Sequence, residues 1–172
     1  MPTRTVTVIR PQENLTLKYR YEAVIAVRAA IKDGLFKQAT PLETKLALLK
    51  NLGDHIVRIY SVGLAEPIPA FTLEIIPDAN ARGFGGGAYS LERKHIMLDK
   101  PSLTSFLHEL AHHLQYHRDG STSESFAQRW SLGLFKRATP GLFADAVSRG
   151  RLYFVEPGPV AVTDPAVVTE QD

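Results

Sequence analysis

Residues 102–116 carry apolar side chains at Leu103, Phe106, Leu107, Leu110, Ala111 and Leu114, at helical intervals, and neither Gly nor Pro interrupts them. A stripe this continuous predicts an amphipathic helix that has to bury one face against other elements. Ser102, just after Pro101, is placed to cap its first turn. The same helix carries His108, Glu109 and His112 as an HExxH string, and residues four apart share a helix face. The two constraints act together. The helix packs on its apolar side and leaves the edge bearing His108 and His112 beside a cleft.

Neutral imidazole nitrogens suit zinc, which takes three protein ligands in catalytic sites and keeps a further position for water. Two histidines one turn apart supply two ligands, and Glu109 is close enough to act as general base and acid on that water. The third ligand is open among Glu124, Asp119 and His117. A His or Asp six residues after His112, following a Gly at the third, is absent, because Arg118 and Gln115 hold those positions. His117 or Asp119 would need the helix to end near Tyr116. Glu124 begins a second helix after a Gly-Ser-Thr turn and can face back across the helix pair. It also reads as the end of a capping box opened by Ser121, so ligation and capping compete for one carboxylate. The chain has no cysteine, which leaves histidine and carboxylate as the strong zinc ligands. His113 and His117 otherwise read as surface or supporting groups, and His55 as a surface residue.

The run His108-Glu109-Leu110-Ala111-His112-His113-Leu114, followed by Ser123-Glu124-Ser125-Phe126-Ala127 and a helix, resembles the single-domain gluzincin metallopeptidases. That group includes minigluzincins, ImmA/IrrE-type peptidases and the catalytic domain of lethal-factor-like toxins. The resemblance covers residues 83–134 and implies an α+β, zincin-like single domain, with a small mixed sheet packed against helices that include the HExxH helix. It implies one zinc ion per chain on His108, His112 and Glu124, with Glu109 as the catalytic base. The implied activity is hydrolysis of peptide bonds in a protein or peptide substrate, by an endopeptidase rather than an exopeptidase. It also implies that substrate lies extended along a sheet edge at Gly87, Ala88 and Tyr89.

Upstream of the motif, residues 70–76 read as a strand, and residues 83–90 with 95–98 as a hairpin closed by 91–94. Gly85, Gly86 and Gly87 allow close approach of another backbone, or form a loop or bulge. Tyr89, Tyr116 and His117 are candidate donors to a developing oxyanion; as tyrosines, Tyr89 and Tyr116 also read as half-buried packing residues.

The remainder reads as scaffold. A helical part, 19–62, contains a first helix ending at Asp33-Gly34 and a long second helix. That second helix opens with a Thr40-Pro41-Leu42-Glu43 capping box, and Gly53 is a candidate break in it. A sheet and catalytic part, 70–155, ends in a helix through Trp130, a short amphipathic piece and a last strand at 151–155. Residues 1–155 are expected to form one domain, with 156–172 a flexible tail whose carboxylates could fold back over the zinc. A net charge of +2 with both signs mixed gives no basic stripe, so nucleic acid is not an expected partner. With no membrane-span stretch and no signal-peptide core, the expected compartment is the cytoplasm. Two rival readings share the motif: a non-peptidase zinc amidohydrolase, and a peptidase-like binding module tied to DNA or to phage and mobile-element regulation.

Overall fold

The computed structural model describes residues 17–76 and 86–152 and shows a mixed α+β chain. Helix α1 (Tyr21–Ala30) turns Ala23, Val24, Val27 and Ala30 inward, then widens into a π-helical turn, Ile31–Leu35. Gly34 closes that turn at φ 115°, a left-handed conformation open to a residue without Cβ. Helix α2 (Leu42–Ser61) follows, with Pro41 at its N-cap and no side-chain capping bond, so the expected Thr40–Glu43 box does not form. The Thr40 hydroxyl instead lies 2.7 Å from where a Gly34 Cβ would stand.

Helix α2 is continuous through Gly53, contrary to the break its sequence suggests. A Cβ there would stand 2.7 Å from Phe106 Cζ and 2.8 Å from Phe71 Cε1. The glycine admits two aromatic rings against the helix. That packing offsets the helix-propensity cost of Gly, about 1 kcal/mol relative to Ala.

Three short strands form the sheet: β1 (Thr72–Ile75), β2 (Gly87–Ser90) and β3 (His95–Leu98). Their order is β1-β3-β2, with β3 parallel to β1 and antiparallel to β2, so the sheet is mixed and β2 is an edge. The β2–β3 turn ends at Lys94, with φ 53°. Ile96 and Leu98 face the core. On the other face His95 donates from Nε2 to Glu74 Oε1 at 2.7 Å, while its Nδ1 meets Thr72 Oγ1 at 2.5 Å.

Helix α3 (Leu103–Asp119) is the centre of the molecule. It packs on β2 and β3, on α2 and on α4 (Glu124–Ala138), which in turn supports α1 and α5 (Pro140–Ser148). Leu103, Phe106, Leu107, Leu110, Ala111 and Leu114 are all buried. Each large side chain among them contributes roughly 1.5–3 kcal/mol by leaving water, which fixes the helix about its own axis. Trp130 of α4 is buried edge-on to Tyr60 of α2, with ring centres 6.0 Å apart. Arg118 Nη1 donates to Tyr60 O at 2.7 Å and Arg28 Nε to Ala138 O at 2.9 Å, covering carbonyls left open at the ends of α2 and α4.

Arg151 and Leu152 belong to no strand. The rest of the expected last strand, the 156–172 tail and residues 83–85 of the expected hairpin lie outside the described residues. No described helix is long and apolar enough to cross a membrane.

Candidate metal centre

Gly120 and Ser123 bound the turn between α3 and α4. Ser102 Oγ accepts from Ser105 N at 3.3 Å and starts α3, as its sequence predicts. Gly120, at φ 80°, ends that helix. Helix α4 is capped by Ser123, whose Oγ accepts from Phe126 N at 3.2 Å, and not by Ser121. The turn is tied back to α3 by Gln115, whose Oε1 accepts from Ser123 N at 3.1 Å. Glu124 is thereby the first residue of α4, outside any capping box, and its carboxylate turns towards α3.

That carboxylate meets both imidazoles of the HExxH string. Glu124 Oε1 lies 2.9 Å from His108 Nε2, and Oε2 lies 3.1 Å from His112 Nε2. One ligand atom from each of the three residues falls within 4.8 Å of the other two, the one such group among the described residues. Zinc bonds of about 2.0–2.2 Å to nitrogen and oxygen place tetrahedral ligand atoms roughly 3.4 Å apart, so small rotamer adjustments suffice. Two imidazoles and a carboxylate are also a donor set that zinc accepts. The residues present suit the ion.

Burial grades across the site. The Glu124 side chain is 81% exposed, those of His108 and His112 17% and 9%. Hydrogen bonds with His108 and His112 hold the Glu124 carboxyl well below the usual carboxylate range, against a smaller opposing effect of burial. Glu109, one residue on from His108, is buried. Burial pushes its carboxyl up; the His108 and His112 imidazoles pull it down, and the Glu124 charge adds a further push upwards.

Edge strand β2 lies across this carboxylate. A Cβ on Gly87 would stand 2.9 Å from Leu98 Cδ2, 3.0 Å from Met97 O and 3.5 Å from Glu109 Cγ; one on Gly86 would stand 3.1 Å from Ser105 Oγ. These glycines let the strand lie on the helix. Asp99 N donates to Gly86 O at 3.2 Å, so Gly86 pairs inward with β3, and by alternation so do Ala88 and Ser90. The main-chain groups of Gly87 and Tyr89 then face the open edge. Of the three expected edge residues, Ala88 turns its main chain away.

Tyr89 and His113 form a second arrangement one helical turn further along. His113 is wholly buried and donates from Nε2 to Pro69 O at 2.7 Å. A carbonyl can only accept, so Nδ1 of the neutral ring carries the lone pair and accepts from the Tyr89 hydroxyl. Burial pushes the His113 imidazole down to about 4, so the ring is neutral near pH 7. The Tyr89 phenol proton is thus committed to His113. His117 packs its ring 4.8 Å from His113, with Tyr116 beside it at 5.2 Å. The structure places Tyr116 and His117 with His113, and Asp119 at the C-terminal end of α3, while His108, His112 and Glu124 come together. His55 sits on the exposed face of α2 beside Arg58.

Sequence reasoning missed Thr122, whose Oγ1 lies 2.7 Å from His112 Nδ1. A threonine between two helices gives no periodic signal. Its place two residues before a candidate ligand was the available clue.

Protein-family models, curated proteins and solved structures contain no match to the chain.

Proposed function

We propose that the chain is a zincin-like, gluzincin-type zinc metallopeptidase, an endopeptidase acting on a protein or peptide substrate. The observation that carries this reading is the convergence of His108, His112 and Glu124 within 4.8 Å, on the helix pair that also holds a buried Glu109 beneath an antiparallel edge strand. His108 and His112 offer Nε2 and Glu124 offers a carboxylate oxygen. A zinc ion bound there supplies Lewis acidity, which polarises a carbonyl and lowers the pKa of water.

The chain's own residues supply the rest. Glu109, its carboxyl raised by burial, accepts a proton from the attacking water and delivers it to the leaving amine nitrogen. Gly87 and Tyr89 offer N–H and C=O groups to an extended segment, which would bind as one more strand beside β2. The Gly87 position, lacking Cβ, keeps that strand close over Glu109. Glu109→Gln tests the assignment. The variant is expected to keep its metal and lose cleavage of a peptide library, by roughly 100-fold or more for a lost acid–base group. Undiminished cleavage would remove Glu109 from the chemistry.

A further inference from the structure

We infer that Thr122 is a positioning residue of this centre, holding the His112 ring in one orientation in both the metal-free and the metal-loaded protein. The inference rests on the zinc reading above. His112 stands between two partners: Nε2 is 3.1 Å from Glu124 Oε2, and Nδ1 is 2.7 Å from Thr122 Oγ1. A carboxylate only accepts, so without metal the ring proton sits on Nε2 and Thr122 donates its hydroxyl proton to Nδ1.

When Nε2 becomes a ligand it gives up that proton, and the neutral ring then carries one on Nδ1. The partner of Nδ1 must then accept. A hydroxyl does both by rotating about one bond, whereas a carbonyl or carboxylate serves only the loaded tautomer and an N–H only the empty one. The ring therefore changes tautomer without changing place. Thr122 is itself held: Gly120 ends α3, Ser123 caps α4, and Gln115 takes the Ser123 amide. Its β-branched side chain has few rotamers, which keeps Oγ1 on the ring.

The test compares zinc affinities of the full chain, by competition with a chromophoric chelator, for wild type, Thr122→Val and Thr122→Ser. Valine keeps the shape and removes the hydroxyl. Thr122→Val is expected to bind zinc roughly 10–100-fold more weakly, while Thr122→Ser stays close to wild type. Nitrogen NMR of the His112 ring should show the proton on Nε2 without zinc and on Nδ1 with it. Wild-type affinity in Thr122→Val overturns the inference, as does a Thr122→Ser protein as weak as Thr122→Val. A wild-type chain that takes up no zinc overturns the metal reading itself, an outcome visible before any variant is compared.

Discussion

The Tyr89 hydroxyl donates to His113 Nδ1, and this bond fixes the edge strand of the sheet against the helix that carries His108 and His112. The spacing follows from the two repeats. Gly87 lies over Glu109, and Tyr89, two strand residues on, lies over His113, four helix residues on. Two strand residues advance about 6.8 Å and four helical residues about 6 Å, so strand and helix stay matched over this turn.

Tyr89→Phe removes the donor and leaves a buried ring nitrogen without its partner. The expected loss is about 1–3 kcal/mol in denaturant unfolding, with zinc affinity unchanged. Equal stability of the variant would show that the bond does not hold the strand.

The same residue predicts alkaline behaviour. Burial raises the Tyr89 and Tyr60 hydroxyls above the ordinary tyrosine value. The unfolded chain releases these protons near pH 10, before the folded one does. Their stabilisation is therefore full below about pH 10 and is lost as pH rises through the folded values. Tyr89→Phe should flatten the alkaline limb of a stability–pH curve. An identical limb would contradict the prediction.

Gly87→Ala places a methyl group 2.9 Å from Leu98 Cδ2 and 3.0 Å from Met97 O. The leucine can shift, but the carbonyl belongs to the paired strand β3 and cannot swing aside. We expect a loss of about 1–3 kcal/mol, measured by thermal unfolding, together with slower peptide cleavage as β2 is pushed off Glu109.

Gly53→Ala sets two effects against each other. Helix propensity favours alanine by about 1 kcal/mol, and overpacking of Phe71 and Phe106 costs about 1–3 kcal/mol. The net expectation is destabilisation in denaturant unfolding. A stabilised variant would mean that the rings move freely.

Which features the sequence disclosed follows from their range. The α3 helix, its buried face and its Ser102 cap depend on residues within a few turns of one another, and the three strands on local alternation and turn chemistry. The strand order, which leaves β2 at the edge, is a tertiary outcome. Gly53 reads as a break because its cause, two rings from elsewhere in the chain, is invisible locally. Ser121, Thr122 and Ser123 can each cap a helix on local grounds; Gln115, from the preceding helix, favours Ser123 by taking its amide. His113, next to the HExxH string, resembles a surface histidine until Pro69 and Tyr89 enclose it.

The central claim is that His108, His112 and Glu124 hold one metal ion. Elemental analysis of the purified chain, after zinc loading and dialysis, tests it most directly, alongside His112→Ala, Glu124→Ala, His117→Ala and Asp119→Ala. The account predicts about one zinc per chain in the wild type and in the His117 and Asp119 variants, and strong loss in the other two. Zinc-free wild type, or full zinc in Glu124→Ala with loss in Asp119→Ala, would contradict it.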